Sequence, residues 1–196
     1  MDASMTQERR DESARRERGG RLWHRTWPAA LAVLVAAGTA YGLTDGRDVA
    51  SIVAASGLVY LAAAATGRRW AAWFAFGVTF ALITLEKFTG IDATAWMLGL
   101  AAVLLAVGLA GRRTSPWWSL PLQAGAMLVL GATAVLAIQL DETIGGLLVA
   151  AALLGHAAWD IHHHRSGRVV SHSLAEFCAV LDILVATLVA VIALTS

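Results

Sequence analysis

Cysteine and charged residues are scarce in this sequence. Cys178 is the only cysteine among 196 residues, which excludes an intrachain disulfide and gives no indication of the redox compartment. Only 15% of the residues are charged, whereas 58% are hydrophobic, and the mean hydropathy is +0.64. This balance excludes an ordinary soluble domain and indicates an integral membrane protein.

The apolar residues form seven long runs separated by short polar connections. Each run has about the length that a helix needs to cross ~30 Å of hydrocarbon. Backbone groups in lipid must be hydrogen-bonded within the spanning segment, and the apolar residues do not alternate as they do in barrel strands. We therefore predict an all-α integral membrane protein. The predicted bundle of seven transmembrane helices occupies residues 28–196, with spans at about 28–43, 49–66, 70–85, 93–110, 119–140, 143–159 and 173–194.

Basic residues are concentrated at every second connection. Seven arginines precede the first run, and the connections that are poor in basic residues hold only Arg47 and Lys87. Three later connections hold two arginines each, namely Arg68/Arg69, Arg112/Arg113 and Arg165/Arg168. Because positively charged loops stay in the cytoplasm, we predict a cytoplasmic N-terminus and an extracytoplasmic C-terminus.

The N-terminal segment and the choice of basic residue suggest where the protein resides. Residues 1–27 are polar and carry both charge signs, so we expect a disordered cytoplasmic tail. Its seven arginines are diluted by five acids, which argues against nucleic-acid binding. A single lysine against fourteen arginines is the bias of a GC-rich bacterial genome, so we expect a multi-pass protein of the bacterial inner (plasma) membrane. The lipid bilayer is then the expected partner. The oligomeric state, and whether the first span is cleaved as a signal peptide, stay open.

Polar chemistry is concentrated near the C-terminus, in GHAAWDIHHHRSGRVVSHSLAEFCAVLD at 155–182. This stretch holds five of the six histidines, the cysteine and three carboxylates. Steps of four and three residues place His156, Asp160 and His163 within roughly 60° of one another on a helix. Nitrogen and oxygen donors that share a helix face can bind a divalent metal ion such as zinc or iron.

The last span adds a second group of donors. Asp182 lies roughly 13 Å deep, so its carboxylate must face the bundle interior. Cys178 is one turn away on the same face, although a lone cysteine is also a common filler of apolar cores. Glu176 projects about 120° away, and we expect it to pair with His172 or Arg168. We predict His156, Asp160, His163 and Cys178 as metal ligands, Asp182 as a ligand or general base, and Glu176 and His164 as auxiliary catalytic groups.

Several functions fit these residues. The leading hypothesis is a metal-assisted enzyme that acts on a lipid or another apolar substrate. A proton-coupled or small-solute transporter would use the same groups as a relay, but only Gln123, Tyr60, Ser51, Ser56 and Thr79 offer it a polar path. In a non-catalytic scaffold, the groups would form a structural polar clasp between two helices, worth on the order of 1 kcal/mol per contact. Residues 162–164 would then be a solvated turn.

The motif H-x-x-W-D-x-x-H-H-R at 156–165, followed by F-C-x-x-x-D at 177–182, resembles a signature of short, uncharacterised bacterial multi-pass membrane proteins. The resemblance covers about 40 residues. Those proteins carry a proline and an aromatic residue before the final span, where this chain has VVSH at 169–172. The resemblance implies no reaction. It implies that six residues belong together, namely His156, Asp160, His163, His164, Cys178 and Asp182.

Other familiar patterns are missing from the sequence. The seventh span has no lysine that could hold retinal, and six histidines are too few for the histidine boxes of membrane desaturases. The early His and Asp and the final H-x-x-x-H of the hydrolases related to alkaline ceramidase and haemolysin III are absent. There is no glycine-rich phosphate loop and no nucleophile elbow.

Overall fold

The computed structural model describes residues 26–195, and every regular element in that range is helical. Six helices are long and apolar enough to cross a membrane, and α1 is a shorter apolar helix. The predicted all-α bundle of seven helices is therefore confirmed for this part of the chain. The bounds are α1 Thr26–Ala40, α2 Ala50–Thr66, α3 Trp70–Thr89, α4 Ala93–Ala110, α5 Leu120–Ala137, α6 Glu142–Ser166 and α7 His172–Thr195, with a 3-10 turn at Gly46–Val49 directly before α2.

Local sequence explains where several helices begin and end. Asp92 and Asp141 precede α4 and α6, and their carboxylates accept hydrogen bonds from backbone N–H groups of the first turn, as N-cap residues do. Gly67, Gly90 and Gly167 follow α2, α3 and α6 with φ of 65°, 72° and 61°. Glycine adopts this left-handed conformation readily, which makes it a common helix terminator.

Helix α6 is longer than the predicted span. It continues to Ser166 rather than ending near residue 159. Residues 162–164 consequently lie on the helix rather than in a turn, with the His163 side chain buried and those of His162 and His164 exposed. The helical extension is what carries His163 toward the bundle interior.

Helix α2 is the central helix of the bundle. All of its residues from Ala50 to Ala65 are buried, and it packs against α3, α4, α5 and α6. Gly57 permits the close approach of α5, because a Cβ there would lie 3.0 Å from Cα of Met127. The surrounding helices expose large apolar side chains such as Phe74 and Leu128, which is consistent with a multi-pass membrane protein.

The most extensive helix pair is α6 with α7. Their interface is built from small and branched residues, and a Cβ at Gly146 would lie 2.8 Å from Cβ of Ala193. The last two helices therefore lie side by side, as the predicted metal ligands on both of them require. This packing brings the polar residues of the two helices to one place.

One end of the bundle is basic. The α2–α3 and α6–α7 connections meet there, because Nη2 of Arg69 donates a hydrogen bond of 2.6 Å to the carbonyl oxygen of Gly167. The α4–α5 connection joins them, since a side chain at Gly67 would collide with the guanidinium of Arg113. We call this end, defined by Arg68, Arg69, Arg112, Arg113, Arg165 and Arg168, the arginine end.

The opposite end is acidic, and Arg47 ties part of it together. Its guanidinium donates hydrogen bonds of 2.6 and 2.8 Å to Oδ2 of Asp45 and one of 2.8 Å to the carbonyl oxygen of Leu140. The hydrogen-bonded guanidinium lowers the pKa of the Asp45 carboxyl. We call this end, defined by Asp45, Asp48, Glu86, Asp92, Asp141 and Glu142, the acidic end.

Candidate functional site

Three side chains from two helices converge inside the bundle. Nδ1 of His156 lies 2.8 Å from Oδ2 of Asp182 and 3.2 Å from Oδ2 of Asp160. One potential ligand atom from each residue lies within 4.8 Å of those of the other two. All three side chains are buried, with at most 5% of each residue exposed. We call these residues the His/Asp triad.

Helix geometry accounts for this convergence. His156 and Asp160 are four residues apart on α6 and therefore share a face, and the α6–α7 interface adds Asp182. His156 lies about 15 Å from the end of α6 at Ser166, and Asp182 lies about 15 Å from the start of α7 at His172. The triad is thus near the middle of both helices. For His156 this is deeper than the sequence predicts, because α6 extends farther.

Tyr60 of the central helix is a fourth member of the site. Its hydroxyl donates a hydrogen bond of 2.6 Å to Oδ1 of Asp160. Its ring packs edge-on against His156 and His163, with ring centroids 5.3 and 4.9 Å apart. Sequence reasoning considered Tyr60 only as part of a transport path. The sequence feature that could have indicated its role is that Tyr60 is the single tyrosine of the largely apolar run at 49–66.

A second polar layer lies between the triad and the arginine end. Nδ1 of His163 is 3.0 Å from the carbonyl oxygen of Trp159. A carbonyl only accepts, so this contact assigns a hydrogen to Nδ1, and in the neutral imidazole it leaves a lone pair on Nε2. That Nε2 lies 3.5 Å from Nε2 of Gln123, which also donates to the carbonyl oxygen of Trp118 at 3.2 Å.

Unpartnered polar atoms are concentrated in these two layers. Buried polar groups nearly always have a hydrogen-bond partner, so each exception calls for an explanation. Within residues 26–195, three of the four buried side-chain atoms without one belong to the triad or to the neighbours of His163. The four are Ser51 Oγ, Gln123 Oε1, Trp159 Nε1 and Asp160 Oδ2.

The triad is short of positive charge. Nδ1 of His156 carries at most one hydrogen, and Oδ2 of Asp182 is its nearer acceptor. Oδ2 of Asp160 is left without a hydrogen bond. Two ionised carboxylates beside one imidazolium would leave a net negative charge in the interior, which is costly. A further cation, either a proton or a metal ion, would neutralise it.

The other predicted site residues lie outside the triad. Cys178 is buried on α7, and neither it nor His163 belongs to the convergent group. His164 is exposed, and its ring packs against His172 with centroids 5.1 Å apart. Glu176 is half-buried. We expected Glu176 to pair with His172 or Arg168. The His172 ring packs against His164, and the guanidinium of Arg168 lies 5.2 Å from the ring centroid of Trp118.

No buried polar side chain of α6 or α7 lies between the triad and the acidic end. Two other residues considered for a transport path bond within their own helices, since the hydroxyls of Ser56 and Thr79 donate to carbonyl oxygens three or four residues earlier. The buried polar residues of α6 and α7 therefore lie at the triad and on the side of the arginine end, whereas α2 carries the buried hydroxyls of Ser56 and Ser51 toward the acidic end. The buried residues of α6 and α7 on that side are small or apolar and include Val149, Leu153, Val185 and Val189, each at most 1% exposed.

Comparison of the chain with protein families, with curated proteins and with solved structures finds no match. The resemblance noted for residues 156–182 stays a prediction. The function must therefore be argued from the chemistry of the His/Asp triad and its surroundings.

Proposed function

We propose that this multi-pass membrane protein binds a divalent metal ion at the His/Asp triad and uses it in an enzymatic reaction on a lipid or another apolar substrate. The observation that carries the proposal is the convergence of three buried donor atoms, one of which, Oδ2 of Asp160, has no hydrogen-bond partner. A bound cation would supply that partner and neutralise the excess carboxylate charge.

The donor set suits a catalytic metal ion. One imidazole nitrogen and two carboxylate oxygens give three protein ligands, the number that leaves room for water or substrate in catalytic zinc sites. Imidazole favours zinc and iron, whereas carboxylates also favour manganese, so these three ions are the ones to test. When bound, such an ion supplies Lewis-acid chemistry.

The surrounding residues orient the triad. The hydrogen bond from Tyr60 to Oδ1 of Asp160 directs the other oxygen, Oδ2, toward His156, as groups around a metal ligand commonly do. His163, which in its neutral form has a lone pair on Nε2, is a buried imidazole on the side of the arginine end. We assign it the role of proton acceptor, in place of the exposed His164 and the half-buried Glu176.

The distribution of buried polar side chains around the triad favours an enzyme over a transporter. A transported ion needs a polar route to both ends of the bundle. Toward the acidic end the buried residues of α6 and α7 are small or apolar, and only the hydroxyls of Ser56 and Ser51 on α2 are polar. By the positive-inside rule, the arginine end faces the cytoplasm of a bacterial inner membrane. The reaction site would then be reached from the cytoplasm or from the surrounding lipid.

A proton relay is the second candidate, and one observation favours it. Close polar contacts run from Asp182 through His156 and Asp160 to Tyr60, and so link α7, α6 and α2. Protons can move along such a chain. Proton-coupled activity would appear as pH-dependent flux in liposomes and would be lost in Asp182→Asn.

Elemental analysis of the purified protein, prepared without a polyhistidine tag, tests the metal proposal. We expect about one ion per chain in the wild type after growth with zinc, iron and manganese, and its loss in the double variant His156→Ala, Asp160→Ala. His164→Ala is the matched control, since it removes an exposed imidazole from the same helix and should retain the ion.

The remaining outcomes identify the alternative. A wild type that carries no stoichiometric ion under these conditions overturns the metal proposal. Flux that depends on Asp182 would then support the relay. A lower melting temperature of the double variant, with neither metal nor flux, would instead support a structural clasp.

A further inference from the structure

The arginine end carries a strong positive charge that no carboxylate of residues 26–195 pairs with. Its six arginines are all exposed, and the carboxylates nearest to them along the chain are the buried Asp160 and the half-buried Glu176. The acidic end shows the opposite balance, with six carboxylates against Arg47 and Lys87. The bundle is therefore polarised along its length.

The contacts that join the three connections of the arginine end do not neutralise its charge. Arg69 donates to the backbone carbonyl of Gly167, and the guanidinium of Arg168 stacks over the ring of Trp118. Arg68 likewise lies 5.9 Å from the ring centroid of Trp70. These contacts position guanidinium groups, yet their partners are a neutral carbonyl and aromatic rings.

No carboxylate of residues 26–195 lies within 4.0 Å of the six guanidinium groups, because the only arginine ion pairs there involve Arg47. Like charges gathered on one surface repel one another unless anions screen them. The surface is thus suited to several anionic groups.

The neighbouring aromatic residues indicate where those anions come from. Trp70 and Trp117 are 60% and 70% exposed beside the arginines, and exposed tryptophans favour the level of the lipid head groups. Guanidinium groups at that level lie among lipid phosphates, to which they can donate paired hydrogen bonds.

We propose that the arginine end binds the phosphate groups of anionic phospholipids in the leaflet that it faces. Arg69, Arg113 and Arg168 form the positioned set, since contacts between the connections hold them, and the other three arginines add charge. This interaction is independent of any metal ion or reaction at the His/Asp triad.

Lipid-dependent thermal stability tests the proposal. The full chain is reconstituted in nanodiscs of phosphatidylcholine alone or with one third phosphatidylglycerol, and the melting temperatures are compared within each variant, so that an effect on folding alone cancels. We expect phosphatidylglycerol to raise the melting temperature of the wild type. The increment should vanish in the triple variant Arg69→Gln, Arg113→Gln, Arg168→Gln and persist in the control Lys87→Gln.

Native mass spectrometry of the same proteins in detergent gives a second readout. We expect phosphatidylglycerol to bind more tightly than phosphatidylcholine, and the triple variant to lose at least about tenfold in phosphatidylglycerol affinity. Equal affinity for the two lipids would overturn the proposal. It would also be overturned if phosphatidylglycerol raised the melting temperature of the triple variant as much as that of the wild type.

Two further experiments test whether an anion other than a phospholipid occupies the arginine end. If inorganic phosphate in detergent stabilises the wild type as much as phosphatidylglycerol does, the surface binds free phosphate and the lipid proposal fails. If the lipid increment appears only after the five acidic residues of the N-terminal segment are changed to amides, that segment is the occupant. Those residues are Asp2, Glu8, Asp11, Glu12 and Glu17.

Discussion

The hydroxyl of Tyr60 donates a hydrogen bond of 2.6 Å to Oδ1 of Asp160 across the interface of α2 and α6. Tyr60 belongs to the central helix, and its ring also contacts His156 and His163. The triad is therefore fixed by the core of the bundle as well as by the two helices that carry it. Oδ2 of Asp160 is left to face His156.

Tyr60→Phe should weaken metal binding more than it disturbs packing. The ring contacts remain, whereas Asp160 loses the hydrogen bond that Tyr60 donates to Oδ1. Loss of a hydrogen bond to a charged group costs about 1.5–3 kcal/mol of stability, and loss of a group that orients a metal ligand lowers metal affinity about 10- to 100-fold. Metal titration and thermal denaturation in one detergent measure both quantities.

Tyr41→Phe is the control for this change. Tyr41 is 81% exposed, so its substitution should leave stability and metal affinity unchanged. If Tyr60→Phe loses stability but retains the metal affinity of the wild type, Tyr60 is a core residue and not part of a metal site.

Part of the site follows directly from the sequence, because helix periodicity is a local property. The i, i+4 spacing places His156 and Asp160 on one face whatever surrounds them. The cost of a carboxylate in hydrocarbon then turns Asp182 inward, so that α7 must pack on a polar neighbour. The structure brings these three residues together.

The rest of the site depends on which helix is central. In a membrane protein, a lipid-facing helix and a buried one are equally apolar, so hydrophobicity could not reveal that α2 is enclosed or that Tyr60 reaches Asp160. Sharing a helix face with Asp182 also did not place Cys178 in the His/Asp triad. It is one turn from Asp182 and buried, yet it is not one of the converging residues.

The close contact of α2 with α5 makes Gly57 intolerant of a side chain. A Cβ at this position would lie 2.9 Å from Sδ and 3.0 Å from Cα of Met127. The Met127 side chain can shift its sulfur away, whereas moving the Met127 backbone would disturb the packing of α5. Gly57→Ala should therefore cost about 1–3 kcal/mol of stability, the range for overpacking. Denaturation in mixed micelles measures the loss.

Gly77→Ala is the matched control in α3. A Cβ at Gly77 meets nothing within 4 Å, and alanine favours the helix over glycine by about 1 kcal/mol. This variant should be as stable as the wild type or slightly more so. Equal effects of the two substitutions would mean that α2 and α5 are not in close contact.

The ion pair of Asp45 with Arg47 should make stability depend on acid pH. Arg47 lowers the pKa of Asp45 in the folded chain, so this contribution is present above the unfolded pKa and is lost as the pH falls through the folded one. Asp45→Asn should lower the melting temperature at pH 7. The loss of stability should lie within about 0.2–1 kcal/mol, the range for ion pairs at a protein surface.

At a pH below both pKa values, Asp45→Asn and the wild type should have the same melting temperature. Asp92→Asn is the control, since its side chain caps α4 and asparagine caps a helix equally well. A difference for Asp45→Asn that is constant across the pH range would mean that the ion pair does not contribute to stability.

Chelation should destabilise the wild type and leave Asp160→Asn unaffected. An ion present at about 100 times its Kd adds about 2.7 kcal/mol to the folded state. Its removal should therefore lower the melting temperature by roughly 5–10 °C in a chain of this size. Asp160→Asn lacks one ligand and has no ion to lose. Differential scanning fluorimetry with and without chelator measures the two responses.

The order of melting temperatures among the metal-free proteins separately tests whether two carboxylates beside His156 destabilise the bundle. Without an ion, the wild type holds two carboxylates beside His156, and Asp160→Asn removes one while keeping a hydrogen-bond acceptor for Tyr60. The metal-free variant should therefore melt at a higher temperature than the chelated wild type, whereas His164→Ala should follow the wild type in both states. If Asp160→Asn melts below the chelated wild type, the carboxylates stabilise the bundle by themselves, and the triad acts as a structural clasp between α6 and α7.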